Sequence, residues 1–214
     1  MSSQIQTQYI YLHGFASSPQ SKKAQYLHTC FQKANYSLNL LDLNQGDFTH
    51  LTLTRQLQQV AAEFEDNLPV TLIGSSFGGL TAAWLGQKYT QVQRLVLLAP
   101  AFGFLDHWLT RLGEEDVQRW QESGFFSVYH YSEDSFVPLH YQFVTDVSQY
   151  QEEELQRPLP TLILHGLHDD VIPIEASRDY AAIRPWVQLV ELDSDHSLTD
   201  MVSPIWEAIQ GFCF

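Results

Sequence analysis

Basic residues are scarce in this 214-residue chain: 11 Lys and Arg stand against 25 Asp and Glu, for a formal net charge of −14. Nucleic-acid binding rests on clustered Lys and Arg that neutralise phosphates, so no nucleic-acid partner is expected. An acidic surface favours solubility and repels anionic ligands and membranes. The run Gln151-Glu152-Glu153-Glu154 reads as a solvated face. Cysteine is scarce too. Cys30 and Cys213 have neither CxxC nor zinc-site spacing, so both are expected as free thiols in a reducing cytoplasm. No apolar run approaches the roughly 18 residues that span a bilayer. Met1-Ser2-Ser3-Gln4 lacks the basic and apolar regions of a signal peptide, and a cytoplasmic location is the expectation. Internal repeats and low-complexity segments are also missing.

What is present is an alternation of two patterns. Short runs rich in Val, Ile, Leu and Tyr at residues 9–13, 38–43, 70–74, 92–99, 161–165 and 187–192 read as strands. Several are almost continuously apolar, as in parallel strands buried on both faces. Between them, Ala24, Leu27, Phe31 and Ala34 recur at helical spacing, as do Leu53, Leu57, Val60, Ala61 and Phe64. Alternating strands and helices predict an α/β fold, a mostly parallel sheet of about six strands covered on both faces. Residues 102–157 break this rhythm, because they separate two strands by far more than a crossover needs. They are rich in aromatics, Phe104, Trp108, Trp120, Tyr129 and Phe136 among them. We read them as a small, mostly helical cap inserted in a single domain, over the carboxyl edge where open α/β sheets bind ligands. The plainer alternative is a set of packing helices. Phe136 and Trp108 are the candidate substrate-binding residues of this segment.

The strongest local motif is Gly74-Ser75-Ser76-Phe77-Gly78. It follows an apolar strand and precedes the helix-like residues 80–88, the context of a G-x-S-x-G nucleophile elbow. A serine on such a sharp turn collides with side chains two residues either side unless those are glycine. Ser76 has Gly74 and Gly78 at these positions, whereas Ser75 would have Ile73 and Phe77, so Ser76 is the expected nucleophile.

A serine hydroxyl needs a base to take its proton. Of nine histidines, His196 lies in Asp193-Ser194-Asp195-His196, after the last predicted strand and before the final helix. It is the expected general base. The segment His165-Gly166-Leu167-His168-Asp169-Asp170 closes the preceding strand and supplies an acid in the chain order Ser, Asp, His. Spacing from His165-Gly166 favours Asp169 as the group that orients the base. Asp170, Asp193 and Asp195 are its competitors. His165 reads as structural. His168 with Asp169 and Asp170 is a conceivable metal site, but no spaced set of further ligands accompanies it. His13-Gly14-Phe15 at the end of the first strand reads as an oxyanion loop, with the main-chain N–H groups of Phe15 and Phe77 as donors and the Phe15 ring as acyl-pocket lining. Lys22 and Lys23 just beyond read as a solvated helix start.

Tyr11-Leu12-His13-Gly14-Phe15-Ala16-Ser17-Ser18-Pro19, followed by Ser21, Lys23 and Ala24, resembles the opening of the YqiA/YcfP-type esterase family of the α/β-hydrolases. The resemblance returns at residues 74–79 and at the Asp and His loops, and fades between 102 and 157. It implies an α/β-hydrolase sheet in strand order 2-1-3-4-5-6. It also implies a carboxylesterase-like triad of Ser76, Asp169 and His196.

Two readings of function follow. In the first, the chain is a serine hydrolase that cleaves a small carboxylic ester or thioester through an acyl-enzyme, without metal or organic cofactor; the same triad also serves C–C bond hydrolysis, a lyase step or perhydrolysis. In the second, it is a binding protein that keeps the scaffold alone.

Overall fold

The computed structural model describes residues 6–214, so Met1-Ser2-Ser3-Gln4 lies outside the described residues. In chain order the strands are β1 (Gln8–Leu12), β2 (Leu38–Leu41), β3 (Val70–Ser75), β4 (Val92–Leu98), β5 (Phe125–His130), β6 (Ser135–His140), β7 (Thr161–Gly166) and β8 (Val187–Leu192). The helices are α1 (Lys22–Lys33), α2 (Leu53–Ala62), α3 (Phe77–Lys88), α4 (Phe104–Leu112), α5 (Glu114–Ser123), α6 (Gln142–Val147), α7 (Ile174–Ala182) and α8 (Val202–Cys213). The six expected strands form one sheet in the order β2-β1-β3-β4-β7-β8, with every neighbouring pair parallel. This is the order that the resemblance implied. Among the described residues no helix is long and apolar enough to cross a membrane.

Strand periodicity divides the core into two. Ile10, Leu12, Leu72, Leu95, Leu97 and Ile163 point to the face covered by α2, α3 and the 102–157 segment. Their neighbours Tyr9, Tyr11, Ile73, Val96, Leu98, Leu162 and Leu164 point to the face covered by α1 and α8. Successive side chains in a strand alternate faces, so a strand buried on both must be apolar throughout. Burying each Leu, Ile or Phe stabilises the fold by about 1.5–3 kcal/mol before entropy is counted.

The segment between β4 and β7 departs from the mostly helical expectation. Its centre is an antiparallel hairpin of β5 and β6, in which Val128 faces Val137 and Tyr129 faces Phe136. Val128 and His130 turn inward while Phe125, Ser127 and Tyr129 are exposed, a period of two. Aromatic and β-branched residues suit strands better than helices, and here that preference prevails. Fully buried Trp120 of α5 donates its indole N–H to the Leu139 carbonyl (2.9 Å), tying helix to hairpin.

The two ends of this segment meet at Glu152. Its carboxylate accepts the Gly103 N–H at 2.9 Å, just before α4. Burial, with smaller effects of Glu153 and Asp106, raises its pKa from 4.5 to about 7. Between these two values the folded protein holds a proton that the unfolded chain has lost, so stability falls as pH rises through this window. Glu152→Gln, which keeps the acceptor and cannot ionise, is expected to raise Tm at pH 8 and to leave it nearly unchanged at pH 4. Thermal unfolding of both proteins across this range is the check, and an equal Tm difference at the two pH values would contradict it.

Candidate active site

Parallel strands place the loops after β1, β3, β7 and β8 at one edge of the sheet. The loop after β3 is the tightest. Ser76 has φ 53° and ψ −119°, a left-handed conformation that costs a residue with a side chain about 1–3 kcal/mol. Its N–H donates to Leu98 (2.9 Å), and its carbonyl accepts from the N–H groups of Gly79, Leu80 and Ala101 at 2.8, 3.2 and 3.1 Å. A Cβ at Gly78 would stand 2.5 Å from the His13 carbonyl oxygen and nearer still to that of Leu12. One at Gly74 would stand 2.6 Å from the Gly78 carbonyl carbon. The glycines therefore let the first turn of α3 press against the end of β1.

His196 bridges this turn to the acid. Its Nε2 lies 3.0 Å from Ser76 Oγ and its Nδ1 lies 2.7 Å from Asp169 Oδ2. The Asp169 side chain is wholly buried. Burial alone would raise its pKa, but hydrogen bonds from His165, His196 and the main chain hold it well below the usual carboxylate range. The competing acids have other partners: Asp170 is exposed, Asp193 pairs with His168 on the surface at 2.8 Å, and Asp195 accepts from Ser197. His168 thus turns away from Asp169, and the run His168-Asp169-Asp170 does not converge on one point.

The loop after β1, expected to hold an oxyanion, lies against the serine. A Cβ at Gly14 would be 3.2 Å from Ser76 Cβ. His13 is buried and accepts the Leu43 N–H at Nε2 (2.9 Å), so its proton sits on Nδ1, which donates to the Gly14 carbonyl at 2.8 Å. That carbonyl and the Phe15 N–H share one trans peptide and point opposite ways. Holding the carbonyl toward His13 turns the Phe15 N–H away from it. Among the described residues, neither the Phe15 nor the Phe77 N–H has a protein acceptor.

Above Ser76 and His196 is a cavity of about 860 Å³. Phe15, Phe104, Trp108, Leu112 and Val128 form its apolar wall, and Lys23, Asp195, Ser197 and Thr199 its polar one. The Phe15 ring is the hub of the apolar side, with Phe104, Trp108 and Phe143 at centroid distances of 5.9, 5.5 and 5.3 Å. Trp108 therefore stands where it was expected. Phe136 does not: it is 70% exposed on the outer face of the hairpin, against Tyr129, and contributes nothing to the lining. Phe136 takes an exposed position of β6, whose buried position is that of Leu139.

Lys23 corrects a second expectation. Lys22 is solvated, but Lys23 is buried and its Nζ donates to the Ser197 carbonyl at 2.9 Å, next to His196. Burial lowers its pKa to about 8 against the opposing pull of Asp169 and Asp195. Its position was legible in the pattern, since Lys23, Leu27 and Phe31 share one helix stripe. From the sequence, His13 is likewise assigned only to the oxyanion loop and His165 only to a structural role, with no function for either ring.

The elbow geometry predicts unequal costs for two alanines. Gly78→Ala should lose roughly 1–3 kcal/mol of unfolding free energy by overpacking against β1. Gly211→Ala, in α8 with nothing near its missing side chain, should gain up to ~1 kcal/mol. Denaturant titration of the two variants measures both, and equal stabilities would contradict the crowding at Gly78.

Comparison with known proteins agrees with this architecture. A putative hydrolase from Agrobacterium vitis S4 superposes with a TM-score of 0.80 at 21% identity, over 98% of this chain and 88% of that one. Mouse alpha/beta hydrolase domain-containing protein 10 gives 0.79 at 18%, over 99% and 90%. Est1E from Butyrivibrio proteoclasticus with ferulic acid bound gives 0.77 at 18%, over 97% and 89%. These likenesses show the α/β-hydrolase fold. No curated protein sequence matches the chain. The model of an uncharacterised protein family, UPF0227, matches residues 8–213, and the chain therefore belongs to this YqiA/YcfP family.

Proposed function

We propose that this protein is a serine hydrolase that cleaves small carboxylic esters or thioesters through an acyl-enzyme. The observation that carries the reading is the unbroken hydrogen-bond chain from Ser76 through His196 to Asp169 beneath an open cavity. Ser76 Oγ attacks the carbonyl carbon while its proton passes to His196 Nε2. The carbonyl oxygen takes the displaced electron pair and is held by the N–H groups of Phe15 and Phe77, an interaction worth on the order of 3 kcal/mol in the transition state. Asp169 keeps the proton of His196 on Nδ1 and stabilises the imidazolium. Collapse of the intermediate breaks the ester bond, and His196 protonates the departing alcohol or thiol. A water then gives its proton to His196, attacks the acyl carbon and releases the acid, with the proton returning to Ser76.

The 102–157 segment is the cap in this reading, and its apolar wall of Phe104 and Trp108 receives the acyl group. Est1E, of similar fold, is solved with ferulic acid bound. The free thiols Cys30 and Cys213 suit the cytoplasm expected from the sequence.

A fluorophosphonate probe should label the wild type and Ser75→Ala, and fail to label Ser76→Ala. Labelling of Ser76→Ala at the wild-type level removes the nucleophile. Asp169→Asn should lower kcat toward p-nitrophenyl acetate by roughly 10⁴-fold with the fold intact, while Asp170→Asn changes it little. The reverse ranking would move the acid to Asp170. Trp108→Leu should shift the relative kcat/KM between acetyl and longer acyl esters, and Phe136→Leu should leave that ratio unchanged. Equal effects would mean that the apolar wall does not select the acyl chain.

A further inference from the structure

Asp169 is held by two histidines, and only one of them belongs to the mechanism above. His165 is the penultimate residue of β7, just before Gly166, and is completely buried. Its Nε2 stands 3.0 Å from Asp169 Oδ2 and 3.0 Å from the Ile172 carbonyl oxygen. Both neighbours are acceptors only, so Nε2 carries the proton and is shared between them. Nδ1 is then an acceptor, and it meets the Ser177 hydroxyl of α7 at 2.7 Å. The tautomer of His165 is thus set on both sides, opposite in sense to His196, which presents Nδ1–H to the same carboxylate.

The carboxylate is saturated as a result. Oδ1 accepts the N–H groups of Val171 and Ile172 at 2.9 and 2.8 Å. Oδ2 accepts His196 Nδ1 at 2.7 Å and His165 Nε2 at 3.0 Å. The titratable and charged groups that face Asp169 are these two rings and, from α1, Lys23, which also faces Asp195.

We propose that His165 is a positioning residue for hydrolysis, anchored by Ser177, which holds Asp169 Oδ2 in line with His196 and shares that oxygen's electron density with it. The proposal rests on the assignment of Ser76, His196 and Asp169. Two consequences separate it from a merely structural role. First, with both oxygens pinned by the scaffold, the carboxylate keeps its orientation while His196 gains and loses its proton. Second, an oxygen that already accepts one N–H attracts the imidazolium less, so His165 limits how strongly Asp169 favours protonated His196. Losing the donor at position 165 therefore makes His196 easier to protonate and moves the acid limb of the pH–rate profile upward.

The test uses the full chain and p-nitrophenyl acetate, with fluorophosphonate as an active-site titrant. His165→Met has similar bulk and no donor, whereas His165→Gln keeps an N–H of comparable reach. The methionine variant is expected to lose ~10-fold or more in kcat/KM per titrated site, the low end for lost outer-shell partners, with its acid limb displaced to higher pH. The glutamine variant is expected to recover most of the rate and to return the limb to its wild-type position. Ser177→Ala, which leaves His165 unanchored, should displace the limb in the same direction, and it carries the test if the methionine variant does not fold. A folded methionine variant, or Ser177→Ala in its place, with the wild-type rate and limb would overturn the proposal and leave the triad standing. A wild type that reacts with neither ester nor fluorophosphonate would overturn the triad itself, and the proposal with it.

Discussion

The site depends on one crowded contact, the first turn of α3 against the carboxyl end of β1. Only a residue without a side chain fits at position 78, because the carbonyls of Leu12 and His13 occupy the space. That contact brings the Ser76 turn and the His13-Gly14-Phe15 loop into register, since β1 and β3 are adjacent parallel strands with Leu12 opposite Gly74. The left-handed backbone of Ser76 is held by hydrogen bonds to β4 and to the residues just beyond it, at Leu98 and Ala101. Local strain is thus maintained by three central strands rather than by the turn itself.

Around that contact, the loops are set by buried polar side chains, each with a defined partner. His13 fixes a peptide of the loop after β1, Lys23 grips the His196 loop, and His165 grips Asp169. Each lies at or just beyond an element end, and each reaches a loop from a different part of the chain or a few residues on. A buried group with its partners satisfied is costly to displace, because any movement leaves a donor or acceptor unpaired in a dry environment. The loops gain rigidity from this without being part of the sheet.

The six strands and the convergence of Ser76, Asp169 and His196 were legible because each had a local signature: an apolar run, a glycine spacing, an order along the chain; the strand order came from the family resemblance alone. What the sequence concealed was direction. Phe136 and Trp108 are both aromatic and lie in the same segment, yet one faces water and the other the cavity. Trp108 lies on helix α4, whereas Phe136 takes an exposed position of β6 in a segment read as mostly helical. Lys23 looked solvated because charge usually is, although its helix stripe pointed to the core. Asp169 was separable from Asp170 by its spacing from His165-Gly166, but that His165 itself donates to the carboxylate emerges only when β7 and α7 are seen packed together.

The hairpin is stitched to the scaffold by its main chain: the Tyr131 N–H donates to the Ala16 carbonyl and the His140 N–H to that of Thr49, at 2.9 and 2.8 Å. Ala16 follows Phe15, the donor of the proposed oxyanion site, and itself has φ 51°. Roof and floor of the cavity are therefore one hydrogen-bonded unit. A segment attached in this way is not a cassette that can be exchanged between relatives to transplant a specificity. Lengthening the hairpin by one residue shifts the N–H of Tyr131 and withdraws a support from the loop that carries Phe15. Diversification of this roof is confined to side chains on its inner face, unless the floor changes with it.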